Sequence, residues 1–191
     1  MKVLGVEDGS FIPRVSRKCL LAGVLMDDLR IENVFIRVIT VDGMDVTEKV
    51  LDIIKECKDV DIILSGGITF AGFNVLNPFK IYEETNVPVI IISRKRPNNK
   101  AVYRALVRHF EDWRIRWSII NRLGEPVPVL NWRDGVTLYI ELVGIGLENA
   151  LEIVDSLTLW GKRPEPLRVA SLIAKGLSRI MEVKNASSHI A

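Results

Sequence analysis

Apolar positions along the chain follow two rhythms, and the change between them outlines the fold. Val3 to Glu7, Leu20 to Met26 and Val34 to Val41 are runs rich in Val, Ile and Leu, separated by charged and turn-forming residues, and they predict three strands. Their short connections make antiparallel neighbours. The spacing then changes to three and four: Val46, Val50, Leu51, Ile53 and Ile54 continue to Cys57 as one face of a helix, opened by Asp45 and Glu48 at the separation of a capping box. Asp61 to Ser65 is a short buried strand ending in Gly66-Gly67, a helical or irregular stretch crosses to Glu84, and Val87 to Ser93 is the next strand, with Pro88 confined to its start. Strand, helix, strand in this order predicts parallel crossovers.

From Asn98 to Leu123 the positions Val102, Leu106, Phe110, Trp113, Trp117 and Ile120 form one stripe, predicting a single amphipathic helix. Lys100, Arg104, Arg108 and Arg122 then face away from it, with Arg114 and Arg116 at its flanks. Gly124 and Pro126 break the chain, Val136 to Val143 is a further strand, and two helices follow, Leu147 to Leu159 and Pro166 to Val183, joined at Lys162 to Pro166. With no internal repeat and no long linker, the expectation is one α/β domain over all 191 residues. Its mixed sheet has three antiparallel strands, then parallel crossovers, flanked by helices. That is the plan of the ribonuclease H-like fold, and pattern alone leaves other α/β arrangements open.

Composition narrows the chemistry. A chain 48% hydrophobic and 26% charged is neither disordered nor low-complexity. Cys19 and Cys57 with His109 and His189 make neither a disulfide framework nor a zinc tetrad, so a metal would fall to carboxylates. No apolar run approaches the roughly 20 residues of a membrane helix, and Met1-Lys2-Val3 opens a strand in place of a signal peptide; a soluble cytoplasmic protein is expected. The net charge of +2 conceals an asymmetry: Arg94 to Arg133 holds ten Lys and Arg against three Asp and Glu, +7, while residues 1–93 carry −4 and residues 134–191 carry −1. Trp113, Trp117 and Trp132 lie in this basic block with Tyr103 and Phe110, and cations interleaved with flat rings suit single-stranded nucleic acid. Trp113 and Trp117 also sit on the apolar stripe, which assigns them first to the core and makes stacking the minor reading.

In an open α/β sheet, ligands collect at the carboxyl ends of the strands. The first strand ends in Glu7-Asp8 and the third in Asp42-Gly43-Met44-Asp45. If these ends converge, Glu7, Asp8 and Asp42, with Asp45 auxiliary, would hold Mg²⁺ or Mn²⁺ and act on a phosphodiester. Asp8-Gly9 and Asp42-Gly43 are also plain turn dipeptides, and Asp45 is also an N-cap. Leu64-Ser65-Gly66-Gly67-Ile68-Thr69-Phe70-Ala71-Gly72-Phe73-Asn74 places glycines directly after a strand, where backbone amides and the Ser65 and Thr69 hydroxyls would meet a phosphate, or where a strand-to-helix turn simply needs glycine. This is neither a Walker loop nor GxGxxG, and no Ser/His/Asp triad is present. Arg94-Lys95-Arg96 falls just past the fifth strand, on the same edge, and Arg104 and Arg108 on the basic helix face complete the candidate nucleic-acid contacts.

The Leu64 to Asn74 stretch, the opening Gly5-Val6-Glu7-Asp8-Gly9-Ser10-Phe11 and the late Gly144 to Ala150 with Arg163-Pro164-Glu165-Pro166-Leu167-Arg168-Val169-Ala170 resemble a mainly archaeal, uncharacterised family related to endonuclease V. The resemblance spans nearly the whole chain and implies a ribonuclease H-like fold and cleavage of nucleic acid near deaminated purines with Mg²⁺ or Mn²⁺. It puts the first-strand carboxylate on Glu7, with Asp8 competing, and the basic residue after the fifth strand on Arg94 or Lys95. Ser65 stands where endonuclease V has an aspartate, Ile145 where it has a histidine, and its Tyr-Ile-Pro-Gly wedge is not visible; Asp42 is the carboxylate nearest to the missing glutamate. Three readings follow: a metal-dependent endonuclease with a rearranged carboxylate set, a non-catalytic nucleic-acid-binding protein on the same scaffold, and a nucleotide or small-molecule enzyme built on Ser65 to Thr69.

Overall fold

A computed structural model describes residues 1–57, 59–131, 135–159 and 162–187; Trp132, Arg133 and His189 lie outside the described residues. The chain opens with β1 (Lys2–Asp8), β2 (Lys18–Asp27) and β3 (Arg30–Thr40), paired antiparallel in sequence order. β2 and β3 outrun their apolar runs because ladder hydrogen bonds continue past the buried stretch. After α1 (Val46–Glu56), β4 (Ile62–Ser65) lies parallel to β1, with Gly5 opposite Leu64. The glycine-rich segment is a small hairpin, β5 (Thr69–Phe70) and β6 (Asn74–Val75), which leads through α2 (Pro78–Thr85) to β7 (Val89–Ser93), parallel to β4.

Helices α3 (Asn99–His109) and α4 (Trp113–Leu123) follow, then β8 (Val127–Asn131), β9 (Val136–Val143), α5 (Leu147–Ser156) and α6 (Glu165–Ser187). The seven-stranded sheet has the order β3-β2-β1-β4-β7-β9-β8, with β9 antiparallel to β7. One face buries Leu4, Val6, Ile63 and Ile91 beneath α1 and α2; the other buries Val3, Ile62, Leu64 and Ile90 with Val154 of α5 and Leu167 of α6. α6 continues over Ala22 and Val24 through its own Ala170 and Ala174, small residues that let helix and sheet approach closely.

Three expectations need correction. The stripe from Asn98 to Leu123 is two helices, because Phe110 is extended at φ −130° and ψ 126° and ends α3. Both helices turn their stripe toward one core of Val75, Leu106, Ile119 and Ile120, so the apolar period runs on through the corner and hides it. β8 was not foreseen, since Pro126 and Pro128 interrupt its pattern; as the outermost strand it tolerates Pro128. Asp45 occupies the N-cap of α1 but makes no capping hydrogen bond, and Glu48 pairs with Lys80 of α2, so the capping box does not form.

Candidate functional site

Successive residues of a strand face opposite sides of the sheet, and Glu7 and Asp8 accordingly diverge at the end of β1. Glu7 is only 7% exposed and is ion-paired with the Arg163 guanidinium, which arrives from the joint between α5 and α6. Burial pushes the Glu7 carboxyl above its ordinary pKa; Arg163 opposes the shift and the neighbouring Asp8 adds to it. Asp8 turns to the hairpin, where its Oδ2 accepts a hydrogen bond from Ala71 N–H at 2.6 Å. Burial raises this pKa too, against that hydrogen bond and the positive charges of Lys175 and Arg163. Gly66 gives the Glu7–Arg163 ion pair its room: a Cβ there would run into Glu7 Oε1 and Arg163 Nη2, and the pair would have to shift.

The remaining two acids of the expected set are occupied in holding the hairpin. Asp42, at φ +57°, accepts from Phe73 N–H at 2.9 Å, and Gly72, at φ +89°, leaves the space its carboxylate fills. Asp45 accepts from Thr40 N–H at 3.0 Å, Thr40 Oγ1 at 2.8 Å and Asn74 Nδ2 at 2.6 Å. Burial opposes ionisation of Asp45, but these donors outweigh it and its pKa is lowered. Asn74 is fully buried and also donates to Thr40 O and accepts from Val46 N–H, tying β6 to the start of α1. Arg116 completes the frame. Its Nε and Nη2 grip Asp112 at 2.8 and 2.9 Å, and its Nη1 donates to Gly43 O at 2.9 Å and Phe73 O at 2.6 Å. Asp42 and Asp45 therefore do not join Glu7 and Asp8: among the described residues no three His, Cys, Asp or Glu gather as a metal-binding group.

The basic residues do meet the glycines. A cavity of about 670 Å³ is lined by Gly66, Gly67 and Thr69 after β4, by Ser93, Arg94, Lys95, Arg96 and Asn99 after β7, and by Lys162. Ser65 is a correction: it is fully buried and its hydroxyl donates to Gly67 O at 2.7 Å, so it shapes the turn and is withheld from a phosphate. Arg104 and Arg108 are exposed on α3, as the stripe implied. Arg116, placed at a flank by the same reasoning, is 4% exposed. Sequence reading did not assign roles to Arg163, Lys175 and Lys162. The Arg163-Pro164-Glu165-Pro166 motif was the available signal for the first; nothing local marks the others.

The fit of a divalent cation rests on Glu7 and Asp8. Mg²⁺ keeps several waters and takes one or two carboxylates when substrate phosphates complete its shell. The two carboxyls leave β1 in different directions, so each meets that minimum singly: each has an oxygen outside the contacts above and is destabilised as an anion by burial, and Glu7 is the one beside the Gly66 turn.

A model of the family described as Endonuclease dU matches residues 1–178. The chain belongs to the endonuclease dU family. A "UPF0215 protein" of Thermococcus gammatolerans is 39% identical over 183 residues, covering 93% of this chain and 92% of that one. A solved protein of unknown function from Archaeoglobus fulgidus superposes with a TM-score of 0.80 at 29% identity, over 92% of this chain and 97% of the other. Ciona intestinalis endonuclease V, solved with a 24mer DNA containing an inosine followed by a ribo-adenosine, gives a TM-score of 0.60 at 13% identity, over 94% of this chain and 87% of the other. The last likeness is one of fold, and it bears out the ribonuclease H-like plan. In this chain the Gly66 turn, with Glu7 on one side and the basic cavity on the other, is where the fold brings carboxylate and cations together.

Proposed function

We propose that the protein is an endonuclease acting on deoxyuridine-containing DNA, with Glu7 and Asp8 as its carboxylates and Arg94, Lys95 and Lys162 against the strand's phosphates. The observation that carries this reading is the position of Gly66, in contact with Glu7 and in the wall of the basic cavity. The family's description supplies the substrate class, and the inosine-containing DNA of the Ciona endonuclease V complex is chemically parallel, since uracil and hypoxanthine are both deaminated bases. A Mg²⁺ or Mn²⁺ ion held by Glu7 together with the substrate phosphate, with the charge of Asp8 close by, would supply Lewis-acid polarisation of the phosphate and a more acidic water. Arg163 neutralises Glu7 in its buried setting, and Lys175 lends positive potential to both carboxylates. Thr69 and Ser93 offer hydroxyl donors to phosphate oxygens at the cavity wall.

The test is cleavage of single- and double-stranded oligonucleotides carrying one deoxyuridine, with Mg²⁺ or Mn²⁺ and with chelator. Cleavage should require the cation and fall by at least about 100-fold in Glu7→Gln, while oligonucleotide binding persists. No cleavage of deoxyuridine, inosine or undamaged strands under any of these conditions would overturn the reading. Persistent salt-sensitive binding without cleavage would favour the non-catalytic alternative, which the buried Ser65 supports, as does the lack of a three-carboxylate group among the described residues.

A further inference from the structure

Beside the basic cavity, α3 and α4 enclose a second cleft of about 550 Å³, and the two meet at Asn99, which lines both. Ligand pockets commonly span roughly 300–1,000 Å³. Tyr103 and Trp117 form its aromatic wall, with ring centroids 5.0 Å apart and planes at 63°. Trp117 also packs on the core between the two helices, which explains its place on the apolar stripe. Tyr103 is different, since 38% of it is exposed although it sits between two tryptophans. Lys100 and Arg104 bring two exposed cations to the same cleft, and Asn121 brings an amide; none of these three makes a side-chain hydrogen bond or ion pair among the described residues. Glu125, also at the cleft, is matched by Arg96 at 3.5 Å.

A partly exposed tyrosine beside a second ring, two unmatched cations and an amide able both to donate and to accept are the complement of a nucleobase carrying its phosphate. We infer that this cleft seats an unpaired base of the bound strand, next to the nucleotide whose phosphate lies in the basic cavity. Tyr103 stacks on the base, Lys100 and Arg104 meet the flanking phosphate, and Asn121 faces the base edge. Every base has a π-face, so the subsite tolerates sequence and rewards an unstacked strand. The inference rests on the strand-binding reading above and adds the path the strand takes.

The test measures binding of single-stranded oligonucleotides in which one base at a time is replaced by an abasic residue, by the wild-type protein and by Tyr103→Ala and Asn121→Ala, with thermal melts to confirm folding. Wild type should lose about 5- to 100-fold in affinity at one abasic position, and Tyr103→Ala should lose a similar factor on the intact strand while becoming indifferent to that position. Equal abasic sensitivity in wild type and Tyr103→Ala would overturn the subsite while leaving strand binding intact. A mononucleotide that binds as tightly as the oligonucleotide, and in a Tyr103-dependent way, would put a free nucleotide in the cleft and overturn the strand reading of it. Failure of wild type to bind any oligonucleotide would remove the functional proposal itself, and the subsite with it.

Discussion

The two halves of the sheet's carboxyl edge handle charge in opposite ways. Toward β1 and β3, charge is consumed internally: Glu7 by Arg163, Asp45 by Thr40 and Asn74, Asp42 by Phe73, Arg116 by Asp112 and two carbonyls. Toward β7 and α3, Arg94, Lys95, Lys100, Arg104 and Arg108 are exposed and form no ion pair among the described residues. Arg104 and Arg116 belong to the same +7 segment, yet one faces solvent and the other is a strut. Segment charge thus says little until burial divides the cations that hold the fold from those left for a ligand.

Stability measurements separate the two classes most widely. Truncating Arg116 to Ala leaves the Gly43 and Phe73 carbonyls without their charged donor, while Asp112, 38% exposed, turns to water, which should cost about 1.5–3 kcal/mol. Arg104→Ala, on an exposed face, should stay within about 0.5 kcal/mol of wild type. Urea denaturation of both proteins measures the contrast. Equal costs would erase the distinction between strut and free cation.

A buried acid with an unpaired oxygen offers the next contrast. Glu7 has Arg163, whereas Glu141 on β9 is 5% exposed, has an Oε2 with no hydrogen-bond partner among the described residues, and has its pKa pushed up by burial to about 7. Its ordinary value is 4.5, so between these limits the folded state holds a proton that the unfolded chain releases. Its contribution is therefore most favourable below about pH 4.5, declines as pH rises to about 7 and is flat above, a loss on the order of 3 kcal/mol. Thermal melts across this range should show a smaller decline in Glu141→Gln than in wild type. An unchanged slope would mean that Glu141 finds a counter-charge.

How much of this was readable in advance depends on how locally each feature is written. The strands other than β5, β6 and β8, the parallel crossovers and the exposed positions of Arg104 and Arg108 follow from periodicity, which is a property of neighbours in sequence. The carboxylate site was half legible: acids at strand ends were visible, but their pairing across the fold was not. Asp42 and Asp45 look like metal ligands in sequence because acids near turns do. Only the hairpin folding back onto them, with Phe73 N–H and the Asn74 amide as donors, shows them to be structural. Arg163 lies 156 residues from Glu7, a separation that no local pattern spans. The corner at Phe110 escaped notice for the opposite reason: both helices share one core, and a local period cannot report a turn that preserves it.

The smallest expected effect bears on function most directly. If Arg104 and Arg108 meet phosphates, replacing both with Glu should weaken single-stranded DNA binding about tenfold or more at low salt and reduce the slope of log affinity against log salt by about 1.4, near 0.7 for each phosphate no longer neutralised. The melting temperature should hardly change, because neither residue has an ion-pair partner among the described residues. The weakening should be the same for strands of different sequence, since phosphate contacts carry no base information. This uniformity separates the cation face from the Tyr103 cleft, where the effect depends on the presence of one base. An unaltered salt slope would make α3 a solvated face and leave Arg94, Lys95 and Lys162 as the cations that meet the strand.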